Sequence, residues 1–179
     1  MTEYVFTEKT RSASLTDEWF TPESAISPLL PYLSQFERIW CPFDHNDSEI
    51  QSNFVKVLKE NGHEVINSHI EYGQDFFDFS PPSYCYDAIV SNPPYSMRND
   101  VYKRLYDLNK PFAMLMNYAG LFDNKKRFNL FKKYGVQLFV LDGRTKFVKR
   151  GNSADSDSSP LFQSVYVCRG ILPSDIVFQ

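Results

Sequence analysis

The stretch DAIVSNPPYSMRND, Asp87 to Asp100, decides the fold. A continuous apolar run reads as a strand covered on both faces. It stops at Asn92-Pro93-Pro94-Tyr95, where two prolines forbid both strand and helix. The helical pattern NDVYKRLYDL follows, with Val101, Leu105 and Leu108 on one stripe. Strand, stiff corner and helix together make one unit of a doubly wound sheet. Such sheets bind ligands beyond the carboxyl ends of their strands, which is where this corner sits.

The same alternation extends in both directions. Upstream, TPESAISPLLPYL reads as a helix, with Thr21 or Ser27 as its cap and a proline after either. FERIWCPF is a strand, and SEIQSNFVKVLKENG is a helix with capping-box spacing from Ser48 to Gln51 and a closing Gly62. HEVINSHI and a short DFF follow as strands. Downstream, PFAMLMN is a strand, Asp123 caps a helix running to Tyr134, and VQLFVLD and SVYVCRG are strands. Apolar strands with helical crossovers predict an α/β fold, a mostly parallel sheet covered on both faces. The last two strands flank KRGNSADSDSSP, so they are expected to form an antiparallel hairpin around a flexible loop at 150–160. With 179 residues the expectation is one domain preceded by an N-terminal arm at 1–18, with no separate target-recognition domain.

Composition excludes several classes. No apolar run approaches the roughly 20 residues of a membrane span, and the N-terminus lacks the basic-then-apolar pattern of a signal peptide. Three cysteines, Cys41, Cys85 and Cys168, are odd in number and show no metal-ligand spacing. They are read as reduced, in a cytoplasmic protein without a metal site. Charge is divided unevenly. Residues 98–150 carry 13 Lys and Arg against four Asp, leaving six against 18 acids elsewhere. A basic half suits a polyanionic partner.

The chemistry that would use an Asn-Pro-Pro-Tyr corner is that of adenine. Its exocyclic amine is a poor nucleophile because the nitrogen lone pair is delocalised into the ring. Accepting both amine hydrogens favours a tetrahedral nitrogen with its lone pair available. The Asn92 side-chain oxygen is one acceptor and the Pro93 carbonyl another, held still by the proline pair. Tyr95 offers a ring face for a base that has left its stack.

These residues resemble the catalytic motif of S-adenosylmethionine-dependent adenine-amino (N6) DNA methyltransferases, especially the small phage and prophage type. The resemblance implies a Rossmann-like sheet of the class I methyltransferase kind, S-adenosylmethionine as cofactor, and catalytic roles for Asn92, Pro93, Pro94 and Tyr95. Other pieces match in chain order. WFTPESAISPLL resembles the segment touching the methionine part of the cofactor, which implies Thr21 and Pro22. GQDFF resembles the step that binds the cofactor's adenine, which implies Asp75 and Phe76. GRTKFVKRGNSADSDSSPLFQSVYV is similar to the closing hairpin of the phage enzymes. In CPFDHNDSEI, Pro42 and Phe43 match the loop after strand one, but its leading acid is Cys41 and its glycines are absent. Asp44 and Asp47 are candidates to meet the cofactor's ammonium, and the start of the Ser48 helix to meet its carboxylate. After strand two, Glu71 is favoured over His69 for the ribose.

The resemblance gives the basic half a role. Arg98, Lys103, Arg104, Lys125, Lys126, Arg127, Arg144, Lys146, Lys149 and Arg150 would flank the base pocket and touch phosphates. The expected partner is DNA, with RNA second. Two other readings stand beside this one. The missing glycines favour a non-catalytic nucleic-acid-binding or interaction protein that keeps the fold. A methyltransferase of glutamine side chains shares the corner but leaves the basic half unexplained.

Overall fold

Apolar alternation places the sheet at the centre of the molecule. The computed structural model describes residues 19–47, 51–149 and 161–179. The expected arm at 1–18, Ser48, Arg150 and the loop at 150–160 lie outside the described residues. In chain order the elements are β1 (Trp19–Phe20), α1 (Glu23–Ile26), α2 (Leu30–Leu33), β2 (Arg38–Cys41), α3 (Asn53–Glu60), β3 (Glu64–Asn67) and β4 (Ala88–Ser91). Then come α4 (Arg98–Leu108), β5 (Phe112–Asn117), α5 (Lys125–Tyr134), β6 (Gln137–Val140), β7 (Thr145–Lys146), β8 (Val148–Lys149), β9 (Leu161–Phe162), β10 (Ser164–Arg169) and β11 (Ile176–Phe178).

Among the described residues the main sheet has seven strands in the order β11-β6-β10-β5-β4-β2-β3. The pairs β2–β3, β2–β4, β4–β5 and β6–β11 are parallel. β10 runs antiparallel to both β5 and β6, so the expected final pair is present. The fold is therefore the predicted α/β, doubly wound, mostly parallel sheet. Successive side chains of one strand enter opposite cores. Ile39 and Cys41 of β2 join Ala88 and Val90 of β4 beneath Ile26, Leu29, Phe54 and Leu58. Trp40 and Ile89 face the other way, onto Val101, Tyr102 and Leu105 of α4 and Phe131 of α5. The two covered faces explain why β4 and β5 read as unbroken apolar runs.

Several expected elements differ. The first helix is broken into α1, a single 3-10 turn at Ser27–Leu29 and α2, because Pro28 and Pro31 lack an N–H and each starts a new turn. Neither Thr21 nor Ser27 caps α1: Pro22 precedes it in extended conformation, and the Ser27 hydroxyl donates back to the Glu23 carbonyl at 2.9 Å. The second helix starts at Asn53, capped by Ser52, whose hydroxyl accepts from the Phe54 N–H at 3.2 Å. Gln51 lies outside that helix, in a β-bridge with Asn46. Gly62 does close the helix, at a φ of 90° that other residues rarely adopt. DFF is a turn rather than a strand, with the Asp78 and Phe79 N–H groups both donating to the Asp75 carbonyl. Asn124, not Asp123, caps α5, its side-chain oxygen accepting from Lys126 N at 3.0 Å and Arg127 N at 3.2 Å. No helix among the described residues is long and apolar enough to cross a membrane.

Candidate functional site at the carboxyl ends of the strands

Parallel strands deliver their following loops to one edge of the sheet. β2 has β3 on one side and β4 on the other, so the chain's direction of travel across the sheet reverses there. The loops after β2, β3, β4 and β5 therefore gather at a topological switch point. Four separate stretches of sequence meet in this place: Thr21, residues 42–47, residues 68–77 and Asn92–Tyr95.

Asp44 ties three of these elements together. It is buried, and its carboxylate accepts from the Ser52 hydroxyl at the head of α3 and from the Ser91 hydroxyl at the end of β4. Its backbone N–H donates to the Ser68 carbonyl after β3, at 3.2 Å. Burial raises the Asp44 carboxyl from its ordinary value of 3.8 to about 6, despite the two serine donors that favour the charged form. Asp44 thus serves internal bracing, where the sequence suggested a contact to a ligand ammonium. Asp47 is exposed and accepts from the Tyr72 hydroxyl. Ser52, Ser91 and Ser68 carry no motif of their own. Their one signal in the sequence is a small hydroxyl residue at the border of an apolar pattern, Ser68 and Ser91 at its end and Ser52 at its start.

Asn92 is held by a different partner. Its amide Nδ2 donates to the Thr21 hydroxyl at 3.2 Å. Thr21 is buried, and its carbonyl accepts from Asn53 Nδ2 at 2.8 Å. So two motifs that the sequence separates by 71 residues are in direct contact. The other amide atom, Asn92 Oδ1, is buried and has no hydrogen-bond partner among the described residues. A buried acceptor left unsatisfied costs roughly 1–3 kcal/mol. Pro93 is buried and Pro94 half-buried, and the Pro94 carbonyl accepts from Met97 N at 3.2 Å, closing the corner into a short 3-10 turn. Tyr95 is half-buried beside the α4-side core.

The remaining site candidates are placed unequally. Pro42 is buried under the loop, and Phe43 is half-buried with its ring centroid 4.8 Å from that of Phe76. Phe76 is a core residue, 2% exposed, packed among Trp40, Phe43 and Phe77 beneath the Arg104 guanidinium. Of the two rings Phe43 is the more exposed. Asp75 is half-buried and orients its own turn by accepting from Phe77 N at 3.0 Å. Pro22 is half-buried just before α1, and Glu71 is exposed. His69 is buried, and its Nδ1 accepts from the Glu71 N–H at 3.2 Å.

The basic residues divide into structural and surface groups. Arg127 is 2% exposed: its guanidinium donates to the Leu121 and Gly120 carbonyls and to Asn99 Oδ1. Burial lowers its pKa from the ordinary value of 12.5. It fastens the loop after β5 to the head of α4, which corrects the expectation of a phosphate contact. Arg104 is half-buried, donating to the Phe79 carbonyl at 3.2 Å with its guanidinium over the Phe76 ring. Arg98 reaches the Ala119 carbonyl at 3.1 Å, and Lys103 pairs with Asp107 at 2.9 Å. Lys125, Lys126, Arg144 and Lys146 are exposed. The backbone of Lys149 pairs with Trp19, and that of Val148 with Phe20. That pairing brings the basic segment 144–149 alongside Thr21 and hence Asn92. Exposed aromatics not singled out from the sequence, Tyr118, Phe122 and Phe128, stand on the loop after β5 and on α5, near exposed Lys125 and Lys126 in the chain.

No protein-family model and no curated protein sequence matches the chain. Among solved structures, the chain is similar to a precorrin-6y C5,15-methyltransferase from Geobacter metallireducens GS-15, with 11% identity and a TM-score of 0.40 over 92% of this chain and 89% of that one. A likeness this distant carries no argument about chemistry.

Proposed function

We propose that this protein is an S-adenosylmethionine-dependent amino methyltransferase acting on adenine in nucleic acid, DNA first and RNA second. The observation that carries the reading is Asn92 Oδ1, a buried acceptor with no partner among the described residues, at the carboxyl end of β4. Fixed by Thr21 through its amide nitrogen, it suits one hydrogen of an exocyclic amine. A fold retains such an atom at a cost, and a ligand donor would recover it.

The residue types suit the cofactor at its nucleoside end. Asp75 and Glu71 would offer carboxylates to the adenine amine and the ribose hydroxyls, and Phe43 a ring. At the amino-acid end the fit is poorer, because Asp44 is engaged by Ser52 and Ser91 and no glycine lies in the loop 42–47. When bound, S-adenosylmethionine supplies a methyl group on a positively charged sulfur, open to attack by nitrogen. The protein's own part is positional. Asn92 Oδ1 and the Pro93 carbonyl would accept the amine hydrogens, Tyr95 would stack on the extruded base, and the lysines at 125 and 126 would hold phosphates.

The test is transfer of labelled methyl to adenine-containing DNA, with cofactor affinity measured in parallel by isothermal titration. Asn92→Ala should reduce transfer by roughly 100-fold or more, the scale of removing one preorganised transition-state contact, and leave cofactor affinity nearly unchanged. Loss of both in equal measure would assign Asn92 a structural role. The internal use of Asp44 favours a second reading, a non-catalytic nucleic-acid-binding protein on the same fold. Under it, titration with millimolar S-adenosylmethionine gives no heat while DNA still binds.

A further inference from the structure

Two of the three histidines meet. His45 stands four residues beyond the end of β2 and His69 two beyond the end of β3, and these strands pair in parallel with Cys41 opposite Asn67. The register sets the two rings face to face, with centroids 3.7 Å apart and planes at 36°. Both are buried, at 5% and 6% exposure, while Glu71 lies beside them at the surface. One ligand atom from each of His45, His69 and Glu71 lies within 4.8 Å of the other two. No spacing rule finds this set in the sequence, because the imidazoles come from loops 24 residues apart and the strand pairing alone joins them.

The surrounding hydrogen bonds make His45 Nδ1 a donor. The Tyr72 hydroxyl donates to Asp47 and accepts from the Asn46 N–H at 3.3 Å. Its proton is therefore committed, and His45 Nδ1, 3.2 Å from the same oxygen, must be the donor. Nε2, the other ring nitrogen, faces Glu71 Oε2 at 3.7 Å. A proton on Nε2 or a metal ion between the two atoms would join this pair. With metal–nitrogen and metal–oxygen bonds of about 2.0–2.2 Å, two ligands on one ion stand roughly 3–4 Å apart. A ligating imidazole that donates its other N–H to an oriented oxygen is the usual outer-shell arrangement, and Tyr72 backed by Asp47 provides it.

We propose that His45, His69 and Glu71 form a binding site for a divalent transition-metal cation of the zinc class. Two imidazoles and one carboxylate suit zinc, cobalt or nickel and not magnesium or calcium, which require oxygen ligands. His45 and Glu71 are the anchoring ligands. His69 joins by exchanging its hydrogen bond from the Glu71 N–H for the metal, so it is the weaker third. The site stands on its own geometry and does not depend on the methyltransferase reading. It does touch that reading at Glu71, because an ion held there would compete with a ribose for the same carboxylate.

The experiment titrates the metal-stripped full-length protein with Co2+, whose visible absorbance reports ligation, and then displaces it with Zn2+. The expected result is one Co2+ per chain at micromolar concentration, displaced by zinc, with a rise in Tm on binding. Glu71→Gln and His45→Ala should each weaken binding by at least about tenfold, no less than the loss of an outer-shell partner, and His69→Ala by less. Glu71 is exposed, so Glu71→Gln carries the test should His45→Ala fail to fold by circular dichroism. The absence of stoichiometric Co2+ absorbance, or equal affinity in wild type and Glu71→Gln, would overturn the proposal. Cofactor titration of the stripped protein is read separately, so failure there leaves the metal result standing.

Discussion

At the scale of single residues, Asp44 shows how a plausible ligand contact becomes a structural brace. Its neighbours along the chain give a polar loop, CPFDHNDS, with nothing to say that Ser52 and Ser91 will close on it. Its buried carboxyl has a folded-state pKa of about 6 against an ordinary 3.8. A pKa raised on folding means that the folded chain binds the proton more tightly, so stability is greatest below about pH 4 and declines as pH rises through about 6. The full difference corresponds to about 3 kcal/mol. Asp44→Asn cannot titrate. Urea unfolding of both proteins from pH 4 to 8 should therefore show wild type losing stability relative to the variant between pH 4 and 6, then running parallel to it. A difference independent of pH would mean that Asp44 keeps its ordinary pKa in the fold. Asn92 differs in kind, because its unsatisfied oxygen has no internal role among the described residues.

At the scale of elements, the legible parts were those whose evidence is local. β4, β5 and α4 follow from periodicity, since an apolar run or a 3.6-residue stripe needs no partner to be recognised. Boundaries that depend on tertiary choices were not legible. SEIQSNF offers three polar caps, and burial of Ser52 beside Asp44 selects it. Asp123-Asn124 offers two caps for α5, and the chain uses Asn124. Asn124→Ala should cost about 1 kcal/mol, and more if Arg127 is loosened with the first turn, whereas Asp123→Ala should cost a few tenths. Thermal melts of the two variants check this, and a larger loss at Asp123 would reverse the assignment. β11 was missed because three residues, with Ile176 and Phe178 exposed, carry no pattern of their own and pair only where β6 offers an edge. The site was legible in part. Thr21, the Asn92 corner and Asp75 reached the expected edge of the sheet, while Ser52, Ser91 and the meeting of His45 with His69 are products of register.

At the scale of the whole molecule, the charge asymmetry becomes a surface only after the structural arginines are removed from it. Arg127 is inside the fold, and half-buried Arg104 is tied to the Phe79 carbonyl and the Phe76 ring, so their charges do not mark a footprint. What is exposed among the described cations of that half is Lys103, Lys125, Lys126, Lys132, Lys133, Arg144 and Lys146, together with the rings of Tyr118, Phe122 and Phe128. Lys125 and Lys126 sit in the first turn of α5, where the helix dipole disfavours a cation, so helix stability does not account for them. A phosphate backbone would. Each phosphate neutralised contributes about 0.9 to the slope of log K against log salt on duplex DNA and about 0.7 on a single strand. Reversing Lys125 and Lys126 to Glu should weaken binding on every sequence alike and flatten that slope by about one to two. Folding should be unchanged, since both side chains are solvent-facing. Arg127→Ala should do the opposite, lowering Tm and leaving the slope of the surviving folded protein nearly as it was. Fluorescence anisotropy across a salt series, on a duplex and on a single strand, reads both variants. An unchanged slope in the double reversal would remove α5 from the nucleic-acid surface and leave Arg144 and Lys146, beside Thr21, as the segment to reverse next.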